Sequence, residues 1–239
     1  MNSFEFSPDC RIAAGLSRPR RHRVGEAILA DFPFTTRFGS HDGHSRSNLA
    51  ARAGNLQTRR RLGRERSRTH PSQCRALVDL TVAQHGRIDV LIHAAGICLA
   101  CPLLEMSDDQ WRETLRINLD GSFFITREVA KAMVQQKSGT MVLLTSDRGL
   151  YGSQTYAHYA ASKGGMIALT KSLALSLGQY VITVNGLNPG MTDTPLARDA
   201  NPHLWDEKIA LDVLGTANLP EQAAQTLLYL AGVGGSYTT

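Results

Sequence analysis

Three short apolar runs along the chain restrict its fold more than any other feature. They cover residues 88–92 (IDVLI), 141–145 (MVLLT) and 181–187 (VITVNGL). Each run is almost continuously apolar, which is typical of a parallel strand covered by helices on both faces. Segments with helical signals separate the runs. The alternation predicts an α/β fold of the Rossmann-like, doubly wound class, with a parallel sheet between two helical layers.

The predicted helices are recognised by their end signals. The sequence Ser107-Asp108-Asp109-Gln110 is a capping box, and it begins a helix that should run through Asn118. Pro220 stands at a first helical position, where its missing N–H costs nothing. The four helices predicted in this way cover residues 72–85, 107–133, 155–177 and 221–231.

A tyrosine and a lysine in the helix over residues 155–177 are candidates for catalysis. Tyr159 and Lys163 are four residues apart, so they lie one turn apart on one helix face. An ammonium close to a phenol favours the phenolate, and we expect it to lower the phenol pKa from its usual value near ~10. Ser146 follows the second apolar run, where its hydroxyl could hold a substrate carbonyl beside the phenol. The alternative is a surface pair with this spacing by chance.

Three further pieces accompany Ser146, Tyr159 and Lys163. They are H-A-A-G at residues 93–96, I-N-L-D-G at residues 117–121 and N-P-G-M-T-D-T-P at residues 188–195. In this order and spacing they resemble the short-chain dehydrogenase/reductase family over residues 71–239. The resemblance implies NAD(P)-dependent hydride transfer between a nicotinamide and a secondary alcohol or ketone. Its near relatives include 3-oxoacyl-carrier-protein reductases.

The resemblance also implies a role for each matching residue. Tyr159 would be the acid/base, and Lys163 would lower the phenol pKa and hold the nicotinamide ribose. Ser146 would bind the substrate oxygen, and Asn118 would anchor a water in a proton relay to the lysine. His93 departs from the family's asparagine, and we interpret it as a structural substitute. The implied cofactor contacts are His93, Ala94, Ala95 and Gly96 for the adenosine half, the Pro189-Gly190 turn, and Thr192 and Thr194 for the carboxamide.

The first seventy residues do not fit this pattern. The family begins with T-G-x-x-x-G-x-G, and only Gly25 falls where a glycine of that motif belongs. Residues 1–75 hold fifteen Arg and six acidic residues, a net of +9, whereas residues 76–239 hold eleven basic and fifteen acidic residues, a net of −4. We therefore separate residues 1–70, an atypical Arg-rich segment, from residues 71–239, the catalytic part of a single Rossmann domain.

Two explanations of residues 1–70 stay open. In the favoured one, part of the segment is translated in the wrong reading frame, while residues 25–32 are an in-frame helix; translating the gene in its other frames tests this. In the other, the run at residues 59–68 is an arm that binds nucleic acid or another polyanion. Without a phosphate-binding loop, a catalytically defective family member is the alternative to an active enzyme. NAD and NADP cannot be distinguished, since the selecting position near Asp42 lies in this segment.

Composition limits the other function classes. No apolar stretch reaches the ~18 residues of a membrane span, and no secretory signal is recognisable, so a cytoplasmic location is expected. Cys98 and Cys101 form a C-x-x-C without the second ligand pair that zinc requires, so no metal is expected. The expected partners are a small alcohol or ketone and further copies of the chain, in a homodimer or homotetramer. Nucleic acid is not an expected partner.

Two expectations concern the segments after the P-G loop. Leu204, Trp205 and Leu211 either cover the substrate, as this segment does in the family, or belong to a core-facing helix. The chain ends at Tyr237-Thr238-Thr239, where the family continues into one more strand. We therefore expect that last strand to be missing, with a bare edge on its neighbour.

Overall fold

The computed structural model describes residues 27–30, 70–200, 205–210 and 212–239. In this part of the chain four strands form one parallel sheet in the order β1-β2-β3-β4: β1 (Ala27–Ala30), β2 (Val90–His93), β3 (Gly139–Leu144) and β4 (Ile182–Leu187). The predicted Rossmann-like α/β fold is therefore confirmed. The helices are α1 (Pro71–His85), α2 (Asp108–Leu115), α3 (Gly121–Gln136), α4 (Arg148–Tyr151), α5 (Ala157–Leu177), α6 (Pro195–Ala200), α7 (Trp205–Ala210) and α8 (Pro220–Ala231).

The strand β1 corrects the prediction of a helix over residues 25–32. Its four residues A-I-L-A pair in parallel with β2, Ala27 opposite Val90 and Ala30 opposite His93. A short apolar run does not show by periodicity alone whether it is a strand or a helix. Pairing with the edge of β2 decides in favour of the strand. Residues 31–69 lie outside the described residues, and the division at residue 70 stays a prediction.

The two faces of the sheet bury different sets of side chains. Leu91, Met141 and Val184 point to the face covered by α1, α3 and α5. Val90 and Val142 point to the opposite face, where they pack against α8. Side chains that alternate along each strand thus fill two cores, one on either side of the sheet. Both faces are apolar, which explains why the runs read as continuously hydrophobic.

The helix predicted over residues 107–133 is interrupted. The capping box is present, because Ser107 Oγ accepts from the Gln110 amide and the Gln110 side chain accepts from the Ser107 amide. However, α2 ends at Leu115, and one π-helical stretch, Arg116–Asp120, joins it to α3. π-Helical turns are often found at functional sites. Here the turn contains Asn118.

Strand β4 forms an edge of the described sheet. Its edge is not bare, since the Val184 amide donates to Thr239 Oγ1 over 3.0 Å and the Asn185 side chain donates to the Thr238 carbonyl over 2.7 Å. Within the described ranges, none of the helices has the length and apolar character that crossing a membrane requires.

Candidate active site

The candidate residues lie on loops and helix starts that follow the carboxyl ends of the strands. Residues 94–97 follow β2, Ser146 follows β3, and residues 188–190 follow β4. In parallel α/β sheets ligands bind at this edge, outside the carboxyl ends of the strands. The sheet thus brings together three segments that are about fifty residues apart in sequence.

A contact between two glycines sets the Ser146 loop against α5. A Cβ on Gly149 would lie 2.7 Å from the Gly164 nitrogen and 2.7 Å from the Lys163 carbonyl carbon. The backbones of α4 and α5 therefore touch where any larger residue would separate them. This places Ser146 beside Tyr159, close enough for the serine side chain to lower the pKa of the phenol.

Ser146 has a second partner that the sequence did not indicate. Its Oγ donates to Asp147 Oδ1 over 2.9 Å. The same carboxylate oxygen accepts from the Arg148 amide over 2.8 Å, at the start of α4. For Ser146 to donate to a substrate oxygen, its hydroxyl must turn away from Asp147.

Lys163 is buried, and no carboxylate of the described residues forms an ion pair with it. Its side chain is 5% exposed, and its Nζ donates to the Leu144 carbonyl at the end of β3 over 2.6 Å. The same Nζ lies 5.6 Å from the centroid of the Tyr159 ring. Burial lowers the pKa of Lys163 to about 8, because an ammonium away from water is disfavoured. The lysine and the tyrosine are therefore neighbours, as their spacing predicts.

The predicted decrease in the phenol pKa does not occur in this arrangement. Burial raises the pKa of Tyr159 to about 12, and the adjacent Cys98 adds to the increase. The neighbouring Ser146 side chain and the charge of Arg148 lower it by less. Burial outweighs the expected effect of Lys163, whose ammonium donates to the Leu144 carbonyl. Tyr159 therefore keeps its proton at neutral pH.

Asn118 joins the loop after β2 to α5. It is fully buried; its Oδ1 accepts from the Ile97 amide over 2.8 Å, and its Nδ2 donates to the Ile97 carbonyl over 2.9 Å and to Ser162 Oγ over 3.0 Å. A Cβ on Gly96 would lie 3.1 Å from that Oδ1, so the loop approaches the asparagine closely. Asn118 therefore holds the loop at Ile97 against α5. Its part in a water relay stays a prediction.

His93 ends β2 with its side chain turned inwards. It is 2% exposed, and its Nε2 shares a hydrogen bond of 2.9 Å with Ser122 Oγ on α3. These contacts agree with the interpretation of His93 as a structural residue. Ala94, Ala95 and Gly96 then lead the chain over the carboxyl edge. Contact of these four residues with a cofactor stays a prediction.

The predicted P-G loop borders a cavity of about 420 Å³, whose lining includes Pro189, Gly190 and Asn218. Asn218 fixes the loop, since its side chain donates to the Pro189 carbonyl over 3.1 Å. Thr192 pairs with Asn218 as an isolated parallel bridge. Thr194 Oγ1 accepts from the Ala197 amide and so caps the first turn of α6.

Three side chains near Tyr159 were missed by the sequence analysis. Cys98, Tyr156 and Ala200 form a small buried cluster against which Tyr159 packs. The Tyr156 hydroxyl donates to the Ala200 carbonyl over 2.6 Å, which ties the end of α6 to the start of α5. The guanidinium of Arg148 lies over the Tyr156 ring, 3.9 Å from its centroid. Arg148 was missed as well; the one sequence signal for it is its position two residues after Ser146.

The segment after the P-G loop is described in part. Trp205 begins α7, and the guanidinium of Arg198 lies 4.8 Å from the centroid of its ring. Leu204 and Leu211 lie outside the described residues. The expectation that this segment covers the substrate therefore stays open.

The described residues fit the nicotinamide half of a dinucleotide. A Cβ on Gly96 would lie 3.1 Å from Asn118 Oδ1, the turn at Gly190 has a φ of 70° that suits glycine, and the buried Lys163 lies beside Tyr159. The position of the pyrophosphate-binding glycine motif lies outside the described residues. Lys163, Gly96 and the P-G loop are therefore the residues that would hold the cofactor.

Comparison with known proteins agrees with this geometry. The model of the short chain dehydrogenase family matches residues 43–205, so the match begins 28 residues before residue 71, where the resemblance begins in the sequence. A 3-oxoacyl-[acyl-carrier-protein] reductase of Thermotoga maritima is 35% identical over 171 residues, which is 72% of this chain and 70% of that protein.

Two other relatives show the same extent of similarity. A 3-oxoacyl-[acyl-carrier-protein] reductase of Chlamydia trachomatis is 34% identical over 164 residues, and an acetoacetyl-CoA reductase of Acinetobacter sp. is 35% identical over 164 residues. In each case the matched region is 69% of this chain and 66% of the relative. The chain thus spans about two thirds of the length of these relatives. It belongs to the short-chain dehydrogenase family, and so to a family of oxidoreductase enzymes.

Proposed function

We propose that this protein is an NAD(P)-dependent oxidoreductase that moves hydride between a nicotinamide and a secondary alcohol or ketone, with Tyr159 as the acid/base. The single observation that carries the proposal is that the Tyr159 phenol lies next to Ser146 and beside the buried Lys163, whose Nζ is 5.6 Å from the phenol ring centroid. A hydroxyl pair of this kind can hold one oxygen atom between two donors. That oxygen would be the carbonyl oxygen of the ketone.

The protonation states favour the reduction of a ketone at neutral pH. Because the pKa of Tyr159 is raised to about 12, the phenol still carries its proton when a carbonyl binds. Negative charge develops on the substrate oxygen as hydride reaches the carbonyl carbon. An alkoxide is more basic than a phenolate, so the proton moves from Tyr159 to that oxygen. In alcohol oxidation the same proton returns to the tyrosine.

Lys163 and Asn118 support this proton transfer in different ways. The ammonium of Lys163, 5.6 Å from the Tyr159 ring, stabilises the phenolate that remains after the transfer. Asn118 holds the Ile97 loop against Ser162 on α5, and so fixes the distance between the loop after β2 and the catalytic helix. We propose Lys163 as the residue that binds the nicotinamide ribose. Asn118 is a positioning residue.

We infer NAD or NADP as the cofactor, which supplies or accepts the hydride when bound. The residues proposed to contact it are His93 to Gly96, Lys163, Pro189, Gly190, Thr192 and Thr194. Support comes from the family and from the position of these residues at the carboxyl edge of the sheet. The same family argument supports a homodimer or homotetramer and a cytoplasmic location. Light scattering after gel filtration would measure the number of chains in the oligomer.

The relatives' names point to the substrate class. Two act on a 3-oxoacyl group carried by a protein, and one acts on acetoacetyl-CoA. We therefore propose a 3-oxo compound as the substrate of this protein.

The experiment compares wild type with Tyr159→Phe in the reduction of methyl acetoacetate by NADH and by NADPH. We expect a decrease in kcat of about 10²–10⁴-fold, the contribution of a positioned general acid. Tyr151→Phe is the matched control, because Tyr151 is 87% exposed at the end of α4. Full activity of Tyr159→Phe would refute the role of this phenol.

Cofactor titration separates this function from its alternative. Saturable enhancement of NADH or NADPH fluorescence is expected for an active enzyme. No saturable binding of either cofactor would instead favour a defective family member without a phosphate-binding loop. Polyanion binding by residues 59–68 is a separate prediction about a segment outside the described residues.

A further inference from the structure

One cation beside the proposed active site has no part in the proton transfer. Arg148 follows Ser146 by two residues, and its guanidinium lies 3.9 Å from the centroid of the Tyr156 ring. Its Nη1 lies 3.9 Å from Cys98 Sγ. Cys98 and Tyr156 belong to the cluster against which Tyr159 packs. The positive charge is close enough to Tyr159 to lower the pKa of its phenol, against the larger effect of burial.

This guanidinium has no countercharge in the described part of the protein. None of the ion pairs formed among the described residues involves Arg148. The adjacent carboxylate of Asp147 is engaged elsewhere, with Ser146 Oγ and the Arg148 backbone amide. An arginine that stacks on an aromatic ring keeps its N–H groups in the plane available for a planar anion. The half-buried guanidinium of Arg148 can therefore bind a planar anion.

The position of Arg148 restricts which anion it can reach. Its backbone amide donates to Ser146 Oγ, and its guanidinium lies on Tyr156 and Cys98, the cluster against which Tyr159 packs. An anion bound by this guanidinium would therefore lie close to the ketone that we propose Ser146 and Tyr159 to hold. The phosphates of a coenzyme A or carrier-protein arm are separated from the 3-oxo carbon by the whole pantetheine chain. A carboxylate one or two carbons from the ketone satisfies the restriction.

We propose that Arg148 is a specificity-determining residue that selects a free oxo acid, a short ketone with its own carboxylate, over a neutral ester or thioester. The inference rests on the proposed reductase function and adds the substrate class to it. Two in-plane N–H groups of the guanidinium would bind the carboxylate, while Ser146 and Tyr159 bind the ketone oxygen. The carboxylate does not react; hydride comes from the reduced nicotinamide and the proton from Tyr159.

The first experiment measures kcat/KM for acetoacetate, methyl acetoacetate and acetoacetyl-CoA in wild type and Arg148→Gln. These substrates share one reacting carbonyl and differ in the charge and size of the group beside it. We expect wild type to prefer acetoacetate, and Arg148→Gln to lower the ratio of acid to ester by about 10- to 100-fold, the effect of one charge-assisted hydrogen bond. Arg148→Lys should recover part of that ratio, and thermal melting of each variant verifies its folding.

The control variant is Arg112→Gln. Arg112 lies on α2, where its side chain is 70% exposed and pairs with Asp108. We expect its ratio of kcat/KM for the acid to kcat/KM for the ester to equal that of wild type.

Salt provides a further test in wild type. The KM for acetoacetate should rise with salt more than the KM for the ester, because salt screens a charge contact.

The second experiment follows binding without turnover. Calorimetry measures acetoacetate and methyl acetoacetate binding to the protein saturated with oxidised cofactor, which cannot reduce a ketone. Binding of acetoacetate that is lost in Arg148→Gln supports the inference even if the protein proves inactive as a reductase. Turnover of the ester with no preference for the acid overturns the inference and leaves the reductase function intact. If the protein shows no turnover and no Arg148-dependent binding, the inference and the reductase function are both overturned.

Discussion

Two buried ionisable side chains, Lys163 on α5 and Glu128 on α3, are held in opposite ways. Both are almost inaccessible, with exposures of 5% and 4%. Glu128 is surrounded by cations: Lys131 Nζ donates to it over 2.8 Å, Arg127 Nε over 3.0 Å, and Arg75 Nε lies 3.7 Å away. Lys163 donates to one neutral carbonyl. The charge of Glu128 is therefore compensated, whereas Lys163 has no countercharge among the described residues.

The difference separates a structural charge from a functional one. The hydrogen bond and charge of Lys131, with those of Arg127, lower the pKa of Glu128 and keep it ionised despite burial. Burial alone lowers the pKa of Lys163 to about 8. An uncompensated buried ion costs stability, and we propose that Lys163 is kept beside Tyr159 because it serves the reaction. The predictions below test this contrast, from the largest effect to the smallest.

The largest effect is expected from Lys163→Met. Removal of the ammonium leaves the phenolate of Tyr159 without stabilisation, so kcat for ketone reduction should decrease by about 10²-fold or more. Lys171→Met is the matched control, since Lys171 lies on the exposed side of the same helix. Steady-state kinetics measures both variants. Equal activity in the two would show that burial of Lys163 has no catalytic purpose.

The pH dependence of stability provides the second test. The pKa of Lys163 is about 8 in the folded protein and near its ordinary value of 10.5 in the unfolded chain. Below pH 8 both states are protonated and the burial cost is present in full. Between pH 8 and 10.5 the folded state loses its proton first, so wild type becomes more stable with rising pH. Relative to Lys163→Met, the gain should approach about 3 kcal/mol.

Urea denaturation at a series of pH values measures this gain. Lys163→Met is the reference because every other titrating group is common to both proteins. A stability difference that stays constant from pH 7 to 10.5 would mean that the buried lysine has an ordinary pKa. In that case the contrast with Glu128 would lose its electrostatic basis.

Glu128→Gln should lower stability without the catalytic loss. The substitution leaves Lys131 and Arg127 without their anion, and we expect the free energy of unfolding to decrease by about 1.5–3 kcal/mol. The partners are partly exposed, at 58% and 38%, so water replaces some of the lost interaction. Urea denaturation at pH 7 measures the loss and ketone reduction measures the activity. A decrease in kcat as large as that of Lys163→Met would contradict the structural role.

A pair of glycine substitutions tests how the catalytic region is positioned. In Gly149→Ala the new Cβ would meet the backbone of α5 at 2.7 Å, so Ser146 must move away from Tyr159. We expect a loss of about 1–3 kcal/mol in stability, together with a lower kcat. Gly178→Ala is the control, because a Cβ there meets no atom within 4 Å and the φ is −55°. It should change stability by less than about 1 kcal/mol.

Local patterns in the sequence were sufficient for much of the described fold. The apolar runs predicted β2, β3 and β4 to within a few residues, and the capping box predicted the start of α2. These signals work because each depends on neighbouring residues only. The short run at Ala27–Ala30 was read wrongly as a helix, since only its pairing with β2 distinguishes the strand. The interruption at Arg116–Asp120 likewise carries no local signal.

By itself the sequence determined the family, the parallel sheet and the neighbourhood of Tyr159 and Lys163, because fixed spacing on a helix needs no tertiary information. Only the tertiary structure decided the electrostatics of the site. The ammonium is directed to the Leu144 carbonyl, the phenol pKa is raised, and Arg148 lies over Tyr156. A pKa depends on burial and on charges that are distant in sequence, and these exist only once the strands and helices have packed.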